Sequence, residues 1–479
     1  MFDNSRSVSR REFLKLAGIA GATVGVGTGL GGLLSACGGE DTTTTTAAVT
    51  STTAGATTSS EAATTTSVSA AEELGRELVI GYCRPVTGAL AAYGIPNEYV
   101  MKRAMEAYGD GIVCADGKKH PIKIVAKDTQ SDTNRAAQVA GDAINNDKAD
   151  IIMGGGTVDT VGPIADQAEA NLTPCLTTDC PYENFVGART NNDLTKTFKW
   201  TYNAGWAVGD LVQDYVAYWN ALTTNKKIAT IFGNNALGTV WMHIWPDLFP
   251  KLGFTPTVAD LYQPGTDDYT ASITQFKKDG CELMLGLFTP PDFSNFWKQA
   301  LQQGWNPKAI QIGVALDFPT AATSLGDLCI NMGGAGLWGP AYPYSSALLG
   351  GETTAEFTAS YEADTGEQWS HPLVHMLLWE WAADVFKRTA DIDDKESILK
   401  AVEATKMDTI GGPIDFTAAI TDDVGTAHNH KNNCKTPVTC IQWRKSPEGS
   451  KFPYQMVTVV NAAAPMVPVE DQVKPLIYA

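Results

Sequence analysis

Basic residues are scarce in this 479-residue chain: 35 Lys and Arg stand against 53 Asp and Glu, a formal charge of −18. So acidic a chain repels phosphate backbones and anionic headgroups, which argues against nucleic acid and against docking on charged lipid. Long apolar runs are missing too. The run in AGIAGATVGVGTGLGGLLSA is short and rich in Gly and Ala, too weak for a permanent membrane span. There is no GxxxxGKS/T phosphate loop, no GxSxG, no HExxH and no CxxC. Nothing in the chain marks an enzyme or places a metal. The nine cysteines lack zinc-ribbon or thioredoxin spacing.

What the N-terminus does have is a processing pattern. SRREFLK, around Arg10 and Arg11, follows the twin-arginine export pattern position by position. Leu34-Ser35-Ala36-Cys37 resembles the lipobox of bacterial lipoproteins, in which the cysteine becomes the lipid-bearing N-terminus. Residues 1–36 are therefore expected to be a signal peptide, and Cys37 the lipidation site. The signal region carries a net +2 (Arg6, Arg10, Arg11 and Lys15 against Asp3 and Glu12), which leaves −20 for the remainder. Residues 41–70 are almost all Thr, Ser and Ala. Such a segment buries too little to offset its ordering entropy, so 37–76 is expected to be a lipid anchor followed by a disordered linker. Several acyl chains on one cysteine hold stably where one would not. The expected location is the outer face of the bacterial cytoplasmic membrane, with membrane contact through lipid alone.

Eight cysteines then remain, an even count that outside the cytosol suggests disulfides. The closest pairs in sequence, Cys175 with Cys180 and Cys434 with Cys440, are the first candidates.

The body alternates between two periods. ELVIGY (77–82), IKIVA (122–126), DIIM (150–153) and 174–177 read as strands, with helical spacing at 97–108, 133–144 (capped by Asp132) and 161–170. The rhythm restarts with strands at 228–232, 257–262, 282–288, 309–314 and 332–338. Helices at 237–252, 269–279 and 292–303 lie between them, the first with Pro246 inside it. Two such runs in about 400 residues predict an α/β chain of two lobes with parallel sheets, and a ligand between them at the carboxyl ends of the strands. A long helix is expected at 372–389, mostly core by its spacing, with His371 ahead of it as a residue a cleft could use. His428 and His430 alternate but lack a third ligand, and read as a solvated loop. WKQALQQGW, Trp297 to Trp305, reads as lobe packing.

Three loops follow strands of the first run: RPVTGALAAYG (84–94), GGGTVDTVGP (154–163) and CLTTDC (175–180). Each alone is an ordinary strand–helix turn. Together they gather exposed backbone and short polar side chains at one sheet edge. YCRPVTGALAAYG, DTQSDTNRAAQVAGDAINNDKADIIMGGGT and TIGGPIDF (409–416) resemble the branched-chain amino acid class of ABC-transporter substrate-binding proteins, the type I periplasmic receptors. The resemblance covers most of 78–460. It implies two Rossmann-like lobes joined by a hinge of three crossovers, lobe 1 being 77–200 plus about 339–438 and lobe 2 about 201–338 plus 439–479. It also implies a small amino-acid-like, amide or aromatic-acid ligand, no cofactor, and delivery to an ABC permease and its ATPase. Tyr93 and Gly94 match the loop whose Tyr covers the ligand. Thr157, Val158 and Asp159 match the loop that holds its carboxylate, and Thr177, Thr178 and Asp179 the loop that meets its ammonium. Phe288 stands at the aromatic position of lobe 2 and Asp317 at its acidic position, with Trp206 near the first crossover. Asp159 departs from the family's Ser-rich loop and sets a negative charge where a carboxylate would sit, which leaves a neutral ligand open. The alternative readings are a ligand-sensing receptor of the same fold and a cofactor- or metal-bearing redox protein exported by the same route.

Overall fold

The computed structural model describes residues 73–418, 420 and 431–478. The expected signal peptide, Cys37, the Thr-rich linker and the pair His428 and His430 lie outside the described residues. Two mainly parallel sheets carry the fold. The first is begun by β1 (Leu78–Arg84), β2 (Ile122–Asp128), β3 (Ile151–Gly155), β4 (Cys175–Thr178) and β5 (Thr201–Gly205). The second is begun by β6 (Lys227–Phe232), β7 (Thr255–Val258), β8 (Leu283–Phe288), β9 (Ala309–Val314) and β10 (Gly333–Gly336). The late chain then adds β11 (Asn433–Lys435) to the first sheet, and β12 (Thr439–Lys445) and β13 (Tyr454–Val460) to the second. Strand order is β11-β5-β4-β3-β1-β2 in one and β13-β12-β10-β9-β8-β6-β7 in the other. β12 runs antiparallel to both its neighbours, β10 and β13; the other pairs are parallel.

Central strands β1, β8 and β9 are buried along their whole length, as sheets covered on both faces require. Edge strand β2 is only partly buried and carries Lys123 and Lys127, charges that discourage pairing with another chain. Alternation along β1 divides the first lobe's core. Leu78, Ile80 and Tyr82 pack with helices α1 (Asn97–Tyr108) and, late in the chain, Met376–Arg388. Val79 and Cys83 face α2 (Thr133–Asn145) and α3 (Val158–Ala170). Asp132 caps α2 by accepting from Arg135 N at 2.7 Å. In the second lobe, α4 (Val208–Asn220) and α5 (Ala236–Leu248) cover one face, and α6 (Thr270–Asp279) and α7 (Pro290–Gln302) the other. Trp297 and Trp305 are buried in that last core.

The chain passes between sheets three times: after β5, after β10, and between β11 and β12. The first passage comes one strand later than the sequence suggests, because Thr201–Gly205 pairs with β4 and stays in the first sheet. Its composition, TYNAG, hides it from an apolar-run reading. The helix expected at 237–252 ends at Leu248, and Phe249–Leu252 continues it as a 3-10 turn beyond Pro246. The helix expected at 372–389 also divides. Pro372 opens a 3-10 turn, His371–His375, before α8 (Met376–Arg388) begins.

All eight described cysteines are free thiols, and buried. The two expected pairings fail on geometry. Cys175 starts β4 and Cys180 follows its far end, so the extended strand between them, rising about 3.3 Å per residue, carries them beyond bridging distance. Cys434 and Cys440 sit in different sheets. Among the described residues no helix is long and apolar enough to cross a membrane.

Candidate functional site

The carboxyl ends of β3, β4, β8, β9 and β10 converge on one cavity between the lobes. Tyr93, Thr157, Asp179 and Pro181 line it from the first lobe, and Trp206 from the first passage. From the second come Tyr215, Leu237, Trp241, Leu287, Val314 and Asp317, among others. The cavity volume between them is about 20 Å³, so the walls of the two lobes lie close together.

The first lobe supplies a buried polar network. Asp179 ends the β4 loop with φ +62°, a left-handed bend that Asp tolerates better than most residues. Its Oδ2 lies 3.1 Å from His371 Nε2 and 3.2 Å from His375 Nε2. Tyr82 Oη meets His375 Nδ1 at 2.9 Å. Burial alone would raise the carboxyl of Asp179. The charge and hydrogen bonds of His371, with those of His375, outweigh it and hold the group down at about 2. The same pairing raises His371 against the opposing effect of its own burial. Gly155 makes room for this arrangement, since a Cβ there would lie 2.4 Å from the His375 ring. Gly94 is needed for a different close approach: its Cβ would sit 2.0 Å from the carbonyl oxygen of Pro85.

The second lobe answers with Asp317, whose Oδ2 accepts from Val314 N at 2.7 Å and Oδ1 from Ala335 N at 2.9 Å. Burial pushes this carboxyl up to about 6, against the pull of His371 and both amides. Val314 itself is bent to φ +67°, ψ −62°, the rare classic γ-turn and a strained conformation for a β-branched residue.

Several contacts join the lobes, among them His371 Nδ1 with the Asp317 carbonyl oxygen at 3.3 Å. Tyr93 meets Phe318 edge-on with ring centroids 4.8 Å apart, and His371 lies 4.8 Å from Phe318 and 5.4 Å from Tyr93. Asp159, in the first turn of α3, accepts from Ala236 N at the start of α5 at 2.9 Å. One carboxylate thus sits at two helix N-termini, where the helix dipoles favour it. Its other oxygen accepts from Thr157 Oγ1 at 3.2 Å. Burial raises the Asp159 carboxyl, against those hydrogen bonds.

Of the residues singled out from sequence, Tyr93, Thr157, Asp179, Trp206 and Asp317 line the cavity. The others do not. Thr177 Oγ1 donates to Tyr202 O, and Thr178 Oγ1 to Ala204 O, so both hydroxyls fasten β4 to β5. Val158 is buried in the core, and Gly94 serves the turn. Phe288 stacks on Tyr262 (5.0 Å, 19°) among the aromatics of the opposite face, while its neighbour Leu287 faces the cavity. In a strand, one residue of register exchanges faces. His375, Tyr215 and Trp241 carry no sequence signal of a site. Each lies in an amphipathic apolar stretch where an aromatic ring or a histidine reads as packing, and only the three-dimensional arrangement brings Tyr215 and Trp241 to the cavity and His375 to Asp179.

The profile described as periplasmic binding protein matches residues 77–431. The chain belongs to the periplasmic binding protein family. A search of curated proteins returns no match. Among solved structures, the leucine binding protein LivK of Thermotoga maritima MSB8 aligns at 17% identity over 80% of this chain and 99% of its own, TM-score 0.63. The substrate binding protein LivJ of Streptococcus pneumoniae, in complex with isoleucine, aligns at 16% over 83% and 99%, TM-score 0.59. A solute binding protein of an ABC transporter from Rhodopseudomonas palustris BisB5, in complex with 3,4-dihydroxy benzoic acid, aligns at 19% over 80% and 98%, TM-score 0.59. At these identities the structures establish the fold, which is that of a type I periplasmic binding protein. The family is one of extracytoplasmic solute-binding proteins and not of enzymes, which sets the redox-enzyme alternative aside.

Proposed function

We propose that this periplasmic binding protein is a lipoprotein exported by the twin-arginine route, anchored through Cys37, that captures a small solute of the amino-acid, amide or aromatic-acid class and delivers it to an ABC permease and its ATPase. The observation that carries the reading is the cavity built from both lobes at the ends of both sheets, with Tyr93, Thr157, Asp179, Trp206 and Asp317 on its wall. A solute there touches both halves at once, so it stabilises the closed form by its preference for that form. The contacts of Asp159 with Ala236 and of Tyr93 with Phe318 belong to the closed form, because each joins one lobe to the other. The test is small-angle scattering of the full chain with and without the solute that mass spectrometry finds retained after purification. Compaction on adding it supports capture by closure; an unchanged radius of gyration with bound solute refutes it. Labelling with radioactive palmitate, lost in Cys37→Ser, tests the anchor.

A further inference from the structure

The proposed capture of a solute leaves its chemistry open, and the cavity wall bears on that question. Both charges of an α-amino acid would need partners. The carboxylate best placed for an ammonium, Asp179, is already met by two histidines, at 3.1 and 3.2 Å. The other, Asp317, spends one oxygen on Val314 N and the other on Ala335 N. On the opposite side, the Thr157 hydroxyl that would hold a carboxylate donates to Asp159 instead, and Asp159 adds a like charge at that spot. No lysine or arginine is among the described residues that line the cavity. The protein's own groups thus already engage Asp179 Oδ2 and each oxygen of Asp317, and no basic side chain on the wall answers a carboxylate.

Unanswered groups remain on the wall, and they are neutral. Trp206 Nε1, Tyr215 Oη and Trp241 Nε1 are buried without a hydrogen-bond partner, on side chains 8%, 0% and 1% exposed, and all three residues line the cavity. The Trp219 and Trp245 N–H groups are also unpartnered, but they lie in the aromatic stack behind Tyr215, outside the lining. A buried donor without a partner is costly, so a bound group that accepts from it gains more than the same contact would in water. Between the three donors the wall is aliphatic: Leu211, Leu237, Leu287 and Leu337.

We propose that the solute is electrically neutral, with an apolar body and one or more carbonyl or ether oxygens, held by the donors of Trp206, Tyr215 and Trp241. This rests on the solute-capture reading and narrows it. The test uses four compounds on closely matched branched skeletons with the full-length protein: isocaproamide (neutral), isocaproate (anion), isoamylamine (cation) and leucine (zwitterion). Titration calorimetry and thermal melting should show isocaproamide binding at least tenfold tighter than the three charged compounds. Tyr215→Phe should weaken it roughly fivefold to tenfold, the loss of one hydrogen bond, without lowering the melting temperature of the unliganded protein. Mass spectrometry of the solute retained through purification supplies a second readout, and a neutral oxygen-bearing molecule supports the proposal. A charged compound binding as tightly as the amide, or a retained solute that is charged, overturns the proposal while solute capture stands. Failure of all four, with no solute retained, overturns solute capture and this proposal together.

Discussion

The two lobes bring opposite surfaces to the same cavity. The first presents a polar network closed on itself: Asp179 with His371 and His375, His375 with Tyr82, and Thr157 with Asp159. The second presents an aromatic and aliphatic wall, with unpaired donors on Tyr215 and Trp241 and a carboxylate, Asp317, tied to backbone amides. The difference separates two tasks. A buried network whose members hold one another fixes geometry and contributes less further attraction to a ligand. Unsatisfied donors on a dry wall supply attraction and selectivity. Substitutions in the first lobe should therefore act on stability and closure, and those in the second on affinity.

The sharpest way to break that division is Asp179→Ala. It strands two buried histidines, and removing one partner from a buried ion pair costs about 3–5 kcal/mol. Urea unfolding should register most of that as a lower midpoint. Gly155→Ala should follow at about 1–3 kcal/mol, because the new methyl group meets the His375 ring. An unchanged melting temperature for Gly155→Ala would show that the histidine is not held where it stands. Asp159→Asn should cost about 1–2 kcal/mol and act on the closed form in particular, since the bond it weakens spans the lobes. Scattering should show a larger radius of gyration at the same solute concentration, with the unliganded melt nearly unaltered.

The smallest expected effect is in pH dependence. His371 has a folded value raised above its ordinary one, so its contribution is full below the ordinary value and is lost as pH rises through the folded value. Asp317, raised to about 6, binds its proton more tightly in the folded protein and likewise lowers stability as pH rises from its ordinary value towards 6. Asp179, held at about 2, works the other way: its contribution is present above its ordinary value and is lost as pH falls through the folded one. The melting temperature should thus be higher near about pH 5.5 than near about pH 8 and drop again in strong acid. His371→Gln should lessen the alkaline limb without abolishing it, because burial also raises the carboxyls of Asp214 to about 8 and of Glu380 to about 7; an equally steep limb in that variant would assign the effect to those carboxyls.

Much of this architecture is legible in the residues. The helix at 97–108 and the cap at Asp132 follow from spacing and side-chain chemistry, and the buried strands of both sheets from uninterrupted apolar runs. What escapes is whatever tertiary context decides. β5 reads TYNAG and is a strand because β4 and β11 flank it. Leu287 rather than Phe288 reaches the cavity because the strand's register in the sheet selects one parity, which the run ELMLGLF does not reveal. Thr177 and Thr178 look like ligand hydroxyls until the neighbouring strand claims them. Asp179 stands in the expected loop, but its partners come from a turn about 190 residues away in sequence, and no local pattern connects them.

Val314 has a last implication. A valine forced into a mirror-image bend, with its amide clamped by Asp317, has few other conformations available, so this part of the rim is stiff before any guest arrives. Stiffness of that kind lowers the entropy lost on capture and sharpens discrimination between guests of similar outline. Glycine at this position would relax the bend and blunt the choice by more than the loss of one valine side chain from the wall accounts for.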